Sequence, residues 1–384
     1  MPNVLVIAAE NSAENYGAQV IDEFKKHNSG INFFGVGGDK FVERGVDVLV
    51  HNRELAVIGI IEVISSLLKL KRIMKLLLRA AVEREAAAVL LIDYPDFNLR
   101  IAKKFKKLGI PVYYYISPTV WAWRYSRVKL IKKYVDHIFI IFPFEVEIFE
   151  KEKIPFTYTG HPLVPMIKVD EERGAFREKL GLEESEILLT LLPGSRGTEV
   201  VFLLAEMLKA VELLAREFKI KVFLLLADNI ERELVTGILE GSSQQVVIIE
   251  QRQGHNLINA SDVVVTTCGT SNLEIAVIGT PFVAVYRLSK LSYFLGKRFV
   301  KIDRYSIVNI LAQKEVIAEL IQEDYSAGNI VKEVRRILQD GDFRREMLVE
   351  FDRIREKVTR GQDPPRIIFD KISQDLKILP NQKF

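Results

Sequence analysis

Ala88-Val89-Leu90-Leu91-Ile92-Asp93-Tyr94-Pro95-Asp96-Phe97-Asn98 decides the fold. Five apolar residues run without alternation into an acid, which reads as a strand buried on both faces of a parallel sheet. The carboxyl end of such a strand is where open α/β sheets bind ligands and do chemistry. A second loop, Ser117-Pro118-Thr119-Val120-Trp121-Ala122-Trp123-Arg124, follows the next strand, Val112–Ile116. Two such loops in succession predict one cleft with a carboxylate and aromatic and basic groups around it. An enzyme handling a polar, anionic substrate is the first expectation.

Outward from that stretch, strand-like runs alternate with helix-like ones. Strands are predicted at 4–8, 31–36, 88–92, 112–116, 137–142 and 156–158, with helices at 16–27, 60–85, 99–108, 125–133 and 145–152. Gly160-His161-Pro162-Leu163-Val164-Pro165 then breaks the pattern. The alternation restarts with strands at 187–192, 221–227, 246–250, 262–266 and 282–286, separated by helices at 198–218, 230–239 and 256–260. From Ile330 onward the chain reads as charged helices and a polar tail. The expectation is an α/β protein with two Rossmann-like, doubly wound domains facing across a cleft. Residues 1–163 and 164–340 form the two domains. A helical segment, 341–384, either crosses back to the first domain or is exchanged in a homodimer.

Bulk properties narrow the class. The chain has 384 residues, 48% hydrophobic and 27% charged, with a net charge of +3. That charge gives no argument for nucleic acid as a partner. The single cysteine, Cys268, excludes an internal disulfide framework and points to a reduced cytoplasm. The N-terminus, Met-Pro-Asn-Val-Leu-Val-Ile, reads as a first strand rather than a signal peptide, and no apolar run is long enough to span a bilayer.

Cations gather in the first half. One cluster is Lys69, Lys71, Arg72, Lys75 and Arg79; a second is Arg100, Lys103, Lys104, Lys106 and Lys107; a third is Arg124, Arg127, Lys129, Lys132 and Lys133. Each alone is a solvated helix face; together they suggest a phosphorylated substrate or a membrane surface. On a helical wheel Lys71, Arg72, Lys75 and Arg79 fall within an arc of about 100°, with Leu68 inside it and Leu76 at its border. Upstream lies the apolar stretch Leu55–Ile61. A core-packed surface helix and an element facing anionic lipid both fit this pattern.

Leu191-Leu192-Pro193-Gly194-Ser195-Arg196-Gly197-Thr198-Glu199 reads as strand, glycine turn and helix start. Free N–H groups at a helix start attract anions, and the Arg196 fork suits phosphate oxygens. The plainer reading is a strand–helix turn capped by Ser195. A second turn, Thr266-Thr267-Cys268-Gly269-Thr270-Ser271-Asn272-Leu273-Glu274, has the same form. There Glu274 either accepts hydrogen bonds from a ribose diol or compensates a helix dipole. Cys268 reads as a packing residue, and the lone His161 as a support residue. The first loop, Ala9-Glu10-Asn11-Ser12-Ala13-Glu14, offers two acids to the cleft without a glycine-rich dinucleotide fingerprint. No spacing resembles a metal site, so neither a metal nor any other cofactor is expected.

These motifs resemble a known family. Asp93-Tyr94-Pro95-Asp96-Phe97-Asn98-Leu99, Ser117 to Arg124, Phe142-Pro143-Phe144-Glu145, Gly160-His161-Pro162-Leu163, Leu192 to Arg196 and Asn309-Ile310-Leu311-Ala312 are similar, in order, to lipid-A-disaccharide synthases. The resemblance spans roughly residues 4 to 325. It implies a GT-B glycosyltransferase that needs no metal and works at the cytoplasmic face of the inner membrane of Gram-negative bacteria. Its substrates would be UDP-2,3-diacylglucosamine and 2,3-diacylglucosamine 1-phosphate, its products UDP and a β-1,6 disaccharide 1-phosphate. Asp93 would deprotonate or orient the acceptor hydroxyl, with Asp96 as rival, and Arg196 would neutralise departing UDP. Gly194, Ser195, Gly269, Thr270, Glu274, Asn309 and Gln322 would hold the donor. Glu10, Ser12, Glu14, Ser117, Trp121, Trp123, Arg124 and His161 would line the acceptor side. Lys71, Arg72, Lys75 and Arg79 would meet the membrane. The family's first loop usually reads Gly-Glu-x-Ser-Gly-Asp; here both glycines are alanine and the aspartate is Glu14, a change that bears on acceptor choice. Another UDP-sugar transferase, a UDP-GlcNAc epimerase and an inactive lipid- or nucleotide-binding homologue are the alternatives.

Overall fold

A computed structural model describes residues 2–27, 30–56, 63–121, 124–287, 303–359 and 363–378. The chain divides into two compact units, Met1–Pro162 with Val358–Phe384, and Leu163–Lys357.

The first unit is built on β1 (Asn3–Ala8), β2 (Asn32–Gly37), β3 (Asp47–His51), β4 (Ala86–Ile92), β5 (Val112–Tyr115), β6 (His137–Ile140) and β7 (Phe156–Tyr158). These pair in parallel in the order β3-β2-β1-β4-β5-β6-β7. Helices α1 (Asn11–Lys26), α2 (Asp39–Glu43), α3 (Arg53–Ala56), α4 (Val63–Glu83), α5 (Pro95–Lys107), α6 (Arg127–Tyr134) and α7 (Glu145–Lys151) connect them. The strand order reverses between β1 and β4, where Ala8 pairs with Ile92. The loops after these two strands, carrying Glu10 and Asp93, therefore open side by side at a topological switch point. The apolar run of β4 is buried throughout its second half, as a central parallel strand requires.

The second unit repeats the plan. Strands β8 (Ile187–Leu192), β9 (Ile220–Leu226), β10 (Val246–Glu250), β11 (Val263–Thr267), β12 (Phe282–Tyr286) and β13 (Glu319–Ile321) pair in parallel in the order β10-β9-β8-β11-β12-β13. Its helices are α8 (Arg173–Lys179), α9 (Gly197–Leu214), α10 (Arg232–Leu239), α11 (Gly254–Ala260), α12 (Thr270–Ile278), α13 (Ile307–Ala312), α14 (Ala327–Gln339) and most of α15 (Gly341–Thr359). Here the switch point lies between β8 and β11, where Leu192 pairs with Thr266. The Gly194 and Gly269 turns follow directly.

The terminal helices, expected as one segment, are split between the units. The division falls within α15, and α16 (Pro364–Asp375) belongs to the first unit. Phe369 packs edge-on against Phe24 of α1 at 4.9 Å and stacks on His27 at 4.6 Å. At the far end Tyr113 donates to Asp375 at 2.8 Å. Strands β3 and β13 were not expected: each is short, and each lies at a sheet edge, where pairing rather than an apolar run defines the strand.

Candidate active site

The Asp93 loop is held by its backbone. Asp93 and Tyr94 both have positive φ, 49° and 45°. Pro95 denies Tyr94 the right-handed helical region, and strain of this kind is on the order of 1–3 kcal/mol per residue. Hydrogen bonds hold the chain there. Asp93 N–H donates to Tyr115 at 2.9 Å. The Asp93 carbonyl accepts from the Tyr114 hydroxyl at 2.6 Å and from Asn98 Nδ2 at 2.7 Å. Asn98 also reaches the Ile92 carbonyl at 3.2 Å. With the carbonyl occupied, the side chain is presented by a fixed turn at the switch point. Burial raises the Asp93 pKa to about 6, and nearby Glu10 adds to the rise. A carboxyl with that pKa is largely ionised at neutral pH and is more basic than an ordinary aspartate, as a general base requires.

Asp96 sits differently. It is exposed, on the first turn of α5, and pairs with Arg124 at 3.1 Å and Arg127 at 2.8 Å. Glu14 is buried and already committed. It accepts from Gly38 N–H at 2.9 Å, Phe41 N–H at 3.1 Å and Asn52 Nδ2 at 2.9 Å, fastening the start of α2 to α1. A Cβ on Gly38 would lie 2.5 Å from its carboxylate. The expectation that Glu14 faces a cleft thus meets a structural staple. Ala9 and Ala13, the two departures from the family's glycines, are buried and lie outside the positive-φ region. Glu10 is exposed and Ser12 half-buried at the start of α1.

The tryptophan loop rests on a partly buried aromatic run. Trp121 meets Phe144 edge-on at 5.1 Å, Phe144 stacks on Phe142 at 5.3 Å, Phe142 meets His161 at 5.2 Å, and His161 meets Tyr16 at 6.3 Å. Burial lowers the His161 pKa to about 3. Beneath lies Glu145, fully buried, accepting from Ile141 and Phe142 N–H at 3.2 and 3.0 Å, with the buried Ser117 hydroxyl beside it. Burial pushes the Glu145 pKa up to about 7. Its burial gave no sequence signal beyond its place in the Phe142–Glu145 motif. Trp123 lies outside the described residues.

In the second unit the Gly194 turn has φ +120°, and a Cβ there would lie 2.6 Å from Glu199 Oε2. Only glycine fits both the conformation and the space. Arg196 caps α9 from an extended conformation, is exposed, and donates to Glu199 at 2.8 Å. Asn229 donates to the Ser195 carbonyl at 2.5 Å, fixing the turn. Across the switch point Gly269 and Thr270 are exposed at the start of α12. Glu274, further along α12, bonds His255 Nε2 at 2.5 Å. The carboxylate's hydrogen bond raises the His255 pKa. Burial pushes the Cys268 thiol pKa far up, consistent with packing.

Asn309 is buried with its side chain engaged. It accepts from Val316 and Ile317 N–H at 2.8 and 3.1 Å and donates to the Ile317 carbonyl and Glu319 at 2.9 and 2.8 Å. It shapes an open pocket with Tyr305 and Glu319 rather than offering free hydrogen bonds. Gln322 follows β13 with φ 56° and is half-buried. Among the described residues no three His, Cys, Asp or Glu gather as a metal site.

Residues 4–364 match the family model described as lipid-A-disaccharide synthetase. The chain is 39% identical over 348 residues to the lipid-A-disaccharide synthase of Myxococcus xanthus, covering 90% of this chain and 91% of that one. It is 37% identical over 366 residues to that of Trichlorobacter lovleyi, covering 93% and 94%. Among solved structures, the UDP-GlcNAc 2-epimerase of Neisseria meningitidis superposes with a TM-score of 0.62 at 12% identity, covering 97% of this chain and 100% of that one. Acinetobacter baumannii MurG gives 0.60 at 13%, covering 97% and 100%. Those two likenesses show the shared GT-B fold. Sequence and fold together place this chain in the lipid-A-disaccharide synthase family of glycosyltransferases.

Proposed function

We propose that the protein transfers 2,3-diacylglucosamine from UDP to the 6-hydroxyl of 2,3-diacylglucosamine 1-phosphate, with inversion. Asp93 carries the reading: a carboxyl of raised pKa on a clamped turn at the first unit's switch point. It takes the proton of the acceptor hydroxyl as the new C–O bond forms and the bond to UDP breaks. Asp96, held by two arginines, is the weaker base candidate. Arg196 and the N–H groups at the start of α9 receive the charge on departing UDP. Glu274 accepts from the ribose, and Glu10, Ser12, Ser117, Trp121 and Arg124 serve the acceptor side. The test is to incubate the purified protein with both lipids. UDP and a tetraacyl disaccharide 1-phosphate are expected in equal amounts by mass spectrometry. UDP without disaccharide would mean hydrolysis and would sink the transferase reading.

The same reading places the protein at the cytoplasmic face of the inner membrane. No helix among the described residues is long and apolar enough to cross a membrane. Helix α4 instead buries Ile73 and Leu77 while Leu68 and Leu76 remain 54% and 45% exposed. Lys71, Arg72, Lys75 and Arg79 are exposed on the same helix, Arg79 beside Glu83 at 2.6 Å. Apolar groups among cations suit an anionic lipid surface, where each cation is worth about 1 kcal/mol. Reversing Lys71, Lys75 and Arg79 to Glu should weaken flotation with phosphatidylglycerol vesicles by ~100-fold or more. Unchanged flotation would remove α4 from the membrane contact.

A further inference from the structure

Glu274 has a partner that orients it. His255, the second residue of α11, bonds Glu274 Oε1 through Nε2 at 2.5 Å. Its other ring nitrogen, Nδ1, lies 3.1 Å from the backbone N–H of Lys168. A backbone N–H only donates, so Nδ1 accepts, and the proton of the neutral ring sits on Nε2, facing the carboxylate. The Lys168 strand of chain is itself fixed. Asp170 and Glu171 N–H both donate to Asn256 Oδ1, at 2.9 and 3.2 Å. Arg173 then reaches the Asn259 and Ser261 carbonyls at 2.7 and 2.9 Å. The ring is therefore clamped between a rigid backbone donor and the acid.

We propose that His255 is the positioning residue of the nucleotide pocket: it fixes the Glu274 carboxylate so that its remaining lone pairs meet the donor's ribose hydroxyls. The proposal rests on the assignment of Glu274 to the ribose. A free glutamate samples several rotamers, and a diol acceptor must be held in one; a histidine donor on an outer bond does this, as such partners do for other functional carboxylates. Loss of the donor should leave the pocket formed and the ribose poorly recognised.

The test compares the affinity of the full-length protein for UDP and for 2′,3′-dideoxy-UDP by calorimetry. Wild type should favour UDP by roughly 10–100-fold, the range for hydrogen bonds to a charged group. H255Q keeps a donor near the Nε2 position and should hold most of that ratio. H255N keeps an acceptor for Lys168 N–H but cannot reach Glu274, and its ratio should fall toward one while its affinity for the dideoxy compound stays near wild type. E274Q should also lose the ratio. If H255N keeps the wild-type ratio while E274Q loses it, His255 does not position the acid. If H255Q and H255N weaken both ligands equally, the histidine is a structural staple only, and the proposal is overturned. If E274Q keeps the ratio, or wild type shows none, the ribose assignment fails and the proposal falls with it.

Discussion

Replacing Asp93 by asparagine should abolish most turnover and at the same time make the protein more stable at neutral pH. The expected fall in kcat is ~10²–10⁴-fold, the usual share of a positioned base. Asparagine is nearly isosteric, and the hydrogen bonds of the Asp93 carbonyl and N–H that hold the turn are kept, so geometry survives. The stability gain follows from the raised pKa. In the unfolded chain an aspartate titrates near ~3.9, whereas burial holds Asp93 near 6 in the native state. Between those values the native state binds the proton and the unfolded chain does not, so stability falls as pH rises. The contribution is fully present below the lower value and lost above the upper one. Above about pH 6 the ionised carboxylate costs the fold up to roughly 3 kcal/mol. Asparagine carries no such cost. Thermal melts of both proteins at pH 4 and pH 8, beside the kinetics, separate the two effects: the variant's advantage should appear only at the higher pH. The kcat/KM of the wild type should rise through about pH 6, and a flat profile there would remove Asp93 as the base. A variant that loses activity because it misfolds would melt lower at both values.

Arg196 should give the second-largest loss. The Gly194 turn brings the start of α9 to the end of β8, and Arg196 is the cation standing at that helix start. It pairs with Glu199 at 2.8 Å, and its side chain is 72% exposed, so a phosphate can reach the guanidinium from solvent. Charge on the diphosphate grows as the glycosidic bond breaks, and a donor aimed at developing charge acts mainly on kcat. Arg196→Ala should lower kcat by ~10²–10³-fold, with a smaller change in KM. Arg196→Lys should recover only part, because a point charge does not reproduce the forked guanidinium. Steady-state kinetics of both variants provide the check. An equal rise in KM with unchanged kcat would show that Arg196 only binds the donor.

Much of this was legible in the sequence, for identifiable reasons. Strands β4 and β12 are unbroken apolar runs and β8 is interrupted only by Thr190, so the residues at their carboxyl ends had to lie at sheet openings. The helical wheel of residues 67–79 separated Ile73 and Leu77 from the cations, and the structure buries the first two. What periodicity could not show was pairing across the chain. The strand order, and with it the adjacency of Glu10 to Asp93, depends on contacts more than eighty residues apart. Glu14 reads as a cleft acid because nothing local marks the backbone N–H groups of Gly38 and Phe41 as its partners. Asn309 reads as a ligand contact for the same reason, although its amide ties together residues 316 to 319. His255 carries no local signal: it sits nineteen residues from its carboxylate, on another helix. Charge pairing was hidden too, since Asp96 looks equivalent to Asp93 until Arg124 and Arg127 are seen to fold onto it.

The most direct measurement is the configuration of the new linkage. A single displacement with Asp93 as base inverts the donor's α-glycosyl phosphate, so proton NMR of the isolated disaccharide should show a β anomeric coupling at the joined sugar. An α-linked product would require two displacements or a front-face attack, and would contradict the role assigned to Asp93.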